Sequence, residues 1–499
     1  MKKLISIILL LSIILGLPAC GSTPSTPRAE KPGTSLETLE TPEAPAKPEP
    51  PAEEIPVEPD SKEDPIVMKP GPIPGLVSLV EETPETAAKI LHNEAAGSVT
   101  IDQQEDQAHP PVVQFVRNGY LLEGENWSLS GKMIVDITYY GAQMAFRGFE
   151  NNRNFAEIII LRQQTGTNGV RRNITRDGTR LQKTGNEVVL NSLQDAVSWP
   201  VDFHLIVCDG WLYFFLQEPG EKMELVTSYA VDWKTSSPRF ELTKNAKVTF
   251  SNLTASNEAA KVRQLYQSLA VSGEVQGKAK LLFLGNSGLF YYDTPNTFSR
   301  MAREAGYLVE VNTIARSSAT LTMFLTSSDH LHDLAMQELP RGYDMVFLQE
   351  LSSCINTTDK ELATQRAVRA LDKLIRENGS KTALYVRAPR NDYGTANTPL
   401  NAARQYDELF TPLGQELNAE CYYVNRAFAL AYKEMGLNLW HTDNAHQNAK
   451  GTYLCACVLF ATVFDTSCQV LGDDCLPAEE AQLLRSIADR VVLGGELPW

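Results

Sequence analysis

Between about residues 83 and 255 apolar and polar positions alternate in short bursts. KMIVDITYYG (132–141), AEIIILRQQ (156–164), NEVVLNSL (186–193) and RFELTKNAKVTFSNLTA (239–255) are rich in β-branched and aromatic residues and are broken by Gly, Asn and Asp. A period of two with that composition predicts strands with one buried face. The clearest unit is FHLIVCDGWLYFFLQ (203–217), in which Asp209-Gly210, a favoured two-residue hairpin turn, separates two strong runs. Many short strands without an intervening helix predict an all-β sandwich of jelly-roll type.

After a helical or loose connector at 256–277 the period changes. AKLLFLGNS, LVEVNTIA, YDMVFLQELS, KTALYVRAP and the start of AECYYVNRAFALAYKEMG read as strands. NTFSRMAREAGY, ELATQRAVRALDKLIRENG and PLNAARQYDELFTPLGQELN fall between them with helical spacing, and NAKGTYLCACVLFATVF reads as the last long helix. Strands alternating with helices predict an α/β body at 278–499, a parallel sheet covered on both faces.

The first 82 residues follow neither period. Lys2 and Lys3 precede an apolar stretch, Leu4 to Leu17, too short to span a bilayer comfortably and followed by Pro18-Ala19-Cys20. Residues 1–20 therefore read as a targeting segment, and 21–82, dominated by Pro, Glu, Thr and Ser, as a disordered tether. Leu17-Pro18-Ala19-Cys20 resembles a bacterial lipobox. That resemblance implies acylation at Cys20, attachment to a membrane by a lipid anchor and an extracytoplasmic cell-surface location; a plain secretory signal or an uncleaved short anchor is the alternative. A formal net charge of −16 without a basic cluster argues against a nucleic-acid partner. The cysteines show no metal-ligand spacing: Cys455 and Cys457 read as buried small hydrophobes, while Cys468 and Cys475 could close a short disulfide loop.

An α/β sheet keeps its working residues beyond the C-terminal strand ends. Here those positions hold Gly285-Asn286-Ser287, then Ala315 to Ser318, then Gln349-Glu350, with Asp443 and His446 in a loop near the chain's end. A hydroxyl nucleophile, an imidazole to take its proton and a carboxylate to orient the imidazole make a serine-hydrolase set. Asp443 and His446 are three apart, so one turn can present both to the sheet edge.

Gly-Asn-Ser after the first strand together with Asp-x-x-His near the C-terminus resembles the SGNH, or GDSL-like, hydrolases over residues 278 to about 495. The resemblance implies a flavodoxin-like parallel sheet and an ester substrate. It also implies Ser287 as nucleophile, His446 as general base, Asp443 as its orienting acid and the Ser287 N–H as one oxyanion donor, with no metal or organic cofactor. Two blocks depart from the pattern. The second normally offers a glycine, and Ser317 or Ser318 stands in its place as a backbone donor. The third normally supplies an asparagine, which is missing after YDMVFL; Gln349 is the candidate replacement, and Asn286 is a further candidate contact to substrate. Together these features predict an extracytoplasmic esterase acting on an acyl ester, with an O-acetyl group on a polysaccharide as the leading substrate. The alternatives are a glycan-binding lipoprotein with an inactive hydrolase fold and an acyltransferase using the same residues.

The hairpin and the closing KVTFSNLTA resemble concanavalin-like and laminin-G-like sandwiches, which implies an accessory, glycan-binding role. Trp199, Trp211, Tyr213 and Trp233 are the aromatics that could form a stacking platform; the competing expectation is that they fill the core. Three other clusters read as local structure: SDHLHD with His330 and His332 as a solvated helical face, Arg390-Asn391-Asp392 as a loop, and His441 as a hydrogen-bond partner.

Overall fold

The computed structural model describes Val77–Trp499, apart from 82–89, 94, 104–111, 118–119, 138–142, 163–167, 177, 182–187, 190–197, 243–245, 392–397, 437 and 475. The targeting segment, the lipobox-like Cys20 and most of the tether lie outside these residues. The tether ends earlier than its composition suggests. Val77–Glu81 is a strand paired antiparallel to Val112–Arg117, with Leu79 opposite Phe115.

Antiparallel strands build two sheets. Among the described residues one has nine strands, centred on Ser237–Leu242, Gln143–Asn151 and Asn154–Arg162. The other has seven, centred on Ser198–Cys208, Trp127–Ile137 and Ala246–Ser256. Alternation turns Phe146, Ile158 and Phe240 of the first sheet inward against Phe203, Leu205, Val248 and Phe250 of the second. The Phe146 ring lies 5.0 Å from both Phe203 and Phe240, and this aromatic knot closes the sandwich. Asp209-Gly210 forms the expected tight turn, both residues at positive φ.

The second body is a five-stranded parallel sheet: β1 Gly277–Gly285, β2 Tyr307–Ala315, β3 Met345–Leu348, β4 Lys381–Val386 and β5 Glu420–Tyr423. Its order, β2-β1-β3-β4-β5, is the flavodoxin-like one. The apolar run of β1 is buried on both faces because helices cover both. Leu282 and Leu284 join one core, while Leu281 and Phe283 join the other. Ala449–Phe464 is buried from Gly451 to Ala461, which is why it carries no amphipathic stripe. One further helix, Ala478–Val492, follows the one expected to be last.

The sandwich and the sheet body belong to one compact unit. The connector contains the helix Ala259–Leu269, whose Tyr266 stacks on Tyr213 at 4.2 Å. Tyr213 donates to Glu310 of β2 at 2.6 Å. Arg172 of the sandwich reaches Asp293 at 2.6 Å, both side chains at most 3% exposed, and Arg176 pairs with Glu338. Three of the proposed glycan platforms are thereby corrected: Trp211, Tyr213 and Trp233 are all buried. Trp211 and Tyr213 occupy the outward face of their strand, and for Tyr213 that face is covered by the connector helix and β2. Trp199 is the second residue of an inner strand, but its side chain lies outside the described residues.

Candidate active site

β1 lies where the strand order reverses, so the crevice beyond its carboxyl end is the expected ligand position of such a sheet. Ser287 opens a four-residue helix, Ser287–Phe290, directly after β1. Asn286 caps it: its side chain accepts from Gly288 N at 3.1 Å and donates to Ala319 O at 3.0 Å. Asn286 is fully buried, so its side chain shapes the turn and cannot reach a bound substrate as the sequence suggested. Gln349, at the end of β3, lies beneath the same turn with Oε1 accepting from Asn286 N at 3.0 Å. A Cβ added at Gly285 or Gly288 would sit 2.5 Å from the Gln349 amide, so only glycine permits this approach. With Oε1 committed, Gln349 Nε2 is a buried donor without an acceptor among the described residues, an arrangement that costs free energy unless something completes it.

The Asp443–His446 loop approaches from the other end of the chain. Ser287 Oγ stands 2.8 Å from His446 Nε2, and His446 Nδ1 stands 2.7 Å from Asp443 Oδ2. A neutral imidazole with its proton on Nδ1 satisfies both contacts. Asp443 Oδ1 also accepts from Ala445 N at 2.9 Å and His446 N at 3.0 Å. Burial alone would raise the Asp443 pKa, but the hydrogen bonds from His446 and the two backbone amides outweigh it and hold the carboxyl down to about 2. Burial pushes the His446 pKa below its usual value, against the raising effect of Asp443, with Arg387 and Arg390 adding to the lowering. The pair thus stays carboxylate and neutral imidazole at neutral pH, as a general base requires.

The loop is fixed by residues to which the sequence assigned no such role. Gln447 Nε2 donates to Gly288 O at 2.8 Å and Thr294 Oγ1 at 3.1 Å, tying it to the short helix that Ser287 opens. Asn448 caps the following helix through Gly451 N. Asn391 N donates to Asn444 O at 2.8 Å, so the Arg390-Asn391 segment braces the loop, whereas Asp392 lies outside the described residues. An Asn or Gln flanking a catalytic-type loop carries no spacing signal that would have singled it out.

Beyond β2, Arg316–Ala319 forms a turn closed by Ala319 N to Arg316 O at 3.0 Å. Ser318 occupies its third position at φ 61°, the left-handed conformation that a type II turn requires and that favours glycine. The serine therefore stands where backbone geometry asks for the missing glycine. Among the described residues no group accepts from its N–H, and the residue is exposed. Glu350, a neighbour of Gln349 that the sequence left without a role, caps this rim: its carboxylate accepts from Leu321 N and Leu351 N while burial raises its pKa.

The remaining candidates sit apart. His330 opens a helix capped by Asp329, and His332 lies 3.3 Å from Asp333. Among the described residues no three His, Cys, Asp or Glu side chains gather into a metal-binding group. Cys455 and Cys457 are buried. Cys468 is buried with its Sγ against Arg485 O and Asp489 Oδ1, and Cys475 lies outside the described residues. Among those residues no helix is long and apolar enough to cross a membrane.

Solved structures similar to part of this chain include three proteins. One, from Slackia heliotrinireducens and provisionally assigned to the SGNH hydrolases, is 23% identical, covering 37% of this chain and 99% of that one, with a TM-score of 0.32. A DUF4886 family protein from Bacteroides uniformis is 12% identical, covering 44% and 97%, with a TM-score of 0.37. An acetyl xylan esterase from Geobacillus stearothermophilus is 14% identical, covering 38% and 94%, with a TM-score of 0.29. No protein-family model and no curated protein matches the chain.

Proposed function

We propose that this protein is a serine esterase that hydrolyses an acyl ester, with an O-acetyl group on a polysaccharide as its substrate. One observation carries the reading: the continuous hydrogen-bonded line from Ser287 Oγ through both imidazole nitrogens of His446 to Asp443. It is the arrangement an active hydrolase needs, and residues 159 apart in sequence would not meet this way by local capping alone.

Ser287 Oγ adds to the acyl carbonyl carbon as its proton passes to His446 Nε2, and Asp443 balances the imidazolium. The carbonyl electron pair moves onto oxygen, where the N–H groups of Ser287 and Ser318 donate to it; Gln349, as fully buried as Asn286, holds the turn beneath them. Collapse expels the alcohol, which takes the proton from His446 and leaves an acyl-serine. Water then attacks that ester, giving its proton to His446; the second collapse releases the carboxylic acid and returns the proton to Ser287 Oγ. The lipobox-like Leu17–Cys20 and the Pro-rich spacer support an extracytoplasmic enzyme tethered at Cys20, within reach of surface glycans.

The test is acetate release from a small aryl acetate and a panel of acetylated polysaccharides, by the protein and its Ser287→Ala variant. Release that disappears in the variant is expected. A folded wild-type protein that turns over no acyl ester would end the esterase reading. Acetyl appearing on an added saccharide in place of free acetate would redirect it to transfer.

A further inference from the structure

One helical turn after the nucleophile, Tyr291 N donates to Ser287 O at 2.9 Å, so the two residues share one face of the same short helix. The Tyr291 ring lies flat on the His446 imidazole, centroids 4.1 Å apart and planes 9° apart. Its hydroxyl is 3.4 Å from His441 Nδ1, and the His441 ring meets Tyr291 edge-on at 5.1 Å. His441 belongs to the same loop as the base: its N–H donates to His446 O at 2.9 Å. The helix that carries the nucleophile thus also carries a plate against the base, pinned at its far end by the loop it supports.

We propose that Tyr291 is a positioning residue for the general base, fixing the plane of the His446 imidazole so that Nε2 aims at Ser287 Oγ and keeping water off one ring face. An imidazole held at 9° to a neighbouring ring cannot rotate about its Cβ–Cγ bond without giving up the stack. The hydrogen bond to Asp443 restrains one edge of the ring, and the plate restrains its face. Among the described residues, charged and titratable groups around His446 and its loop come from three elements. Asp443 and His441 lie on its own loop, Tyr291 and Tyr292 on the nucleophile helix and its end, and Arg387 and Arg390 follow β4. Burial is the largest influence holding the His446 pKa down, and the Tyr291 ring supplies part of that burial.

Removing the plate therefore lets water reach the imidazole and its pKa rise toward the usual value. The base works only when neutral, so a raised pKa moves the acid limb of the rate profile to higher pH, and activity is lost sooner as pH falls. This inference rests on the esterase reading, and a turnover-independent readout separates the two. In the full chain, Tyr291→Leu, Tyr291→Met and Tyr291→Phe are compared with wild type on an aryl acetate from about pH 4.5 to about pH 8.5. Titration of the His446 imidazole is followed in parallel by proton NMR.

Leu and Met remove the flat ring and leave part of the imidazole face open to water. Each is expected to lower kcat by on the order of tenfold with KM within about twofold, and to raise both the acid limb and the NMR pKa by about half a unit. Phe keeps the ring and should stay within about twofold of wild type with an unmoved limb. A folded Leu or Met variant with unchanged kcat and unchanged His446 titration would overturn the assignment, and so would a Phe variant as impaired as Leu. An inactive wild type whose His446 titration still shifts in the Leu variant would refute the esterase reading and leave the positioning role intact.

Discussion

Replacing Asp443 with asparagine separates the carboxylate's two jobs. Its Oδ1 accepts the Ala445 and His446 backbone N–H groups, and its Oδ2 accepts His446 Nδ1–H. Asparagine can keep the first pair through its carbonyl oxygen. Its NH2 then faces Nδ1, where two donors cannot meet. The imidazole escapes by moving its proton to Nε2, which turns the base's lone pair away from Ser287 Oγ. One of three hydrogen bonds is inverted, and it is the one that sets the tautomer. The triad precedent for that inversion is a loss of about 10⁴ in kcat, which corresponds to about 5 kcal/mol of barrier. Stability should fall by less than about 1 kcal/mol, because both backbone donors remain satisfied. The assay pairs aryl acetate turnover near neutral pH with a urea unfolding curve on the same preparation. A folded Asp443→Asn variant retaining more than about a tenth of wild-type kcat would mean that Asp443 only shapes the loop, and the reasoning would fail.

Two further outcomes follow from the backbone and the interface. Ser318→Gly relieves a side chain held at φ 61° and keeps the N–H. It should stabilise by up to about 1 kcal/mol after the extra chain entropy of glycine, with kcat within about twofold; a lower denaturation midpoint would contradict the turn assignment. Among the described residues Arg172→Met leaves buried Asp293 with Asn296 Nδ2 as its one side-chain donor, which should cost about 3–5 kcal/mol in urea unfolding, while adding Asp293→Asn recovers part of the loss. A single-variant cost below about 1 kcal/mol would show that the sandwich does not depend on this pair.

Several parts of the site were legible because their chemistry is local. Gly285-Asn286-Ser287 follows the apolar run of Leu281 to Leu284, and Asp443 lies one turn from His446, so strand end, turn and spacing could be read without knowing what lay opposite. The second rim block was half legible: Ser317 or Ser318 could be named as a donor, but only backbone geometry singled out Ser318. Gln349 was selected as an amide near the missing third block, and its place under the turn depends on strands β1 and β3 lying side by side. Asn286 was misjudged because sequence adjacency to a nucleophile does not say whether an amide faces substrate or the fold.

The sequence alone determined most of the elements, since hydrophobic period and turn residues are set within a few positions: an alternating sandwich, a tight turn at Asp209-Gly210, a parallel sheet with covered faces, and Ser287 and His446 at its rim. Tertiary structure decided whatever depends on which face is covered and by what. Period two shows that Trp211 and Tyr213 share one face of their strand, but only the packing of the connector helix and β2 buries that of Tyr213. The same holds for Tyr291, an unremarked aromatic four residues after Ser287 until a loop from 150 residues away lays His446 and His441 against it. Burial and contact across such separations are properties of the assembled chain, because the free energy of a side chain depends on neighbours that local sequence does not name.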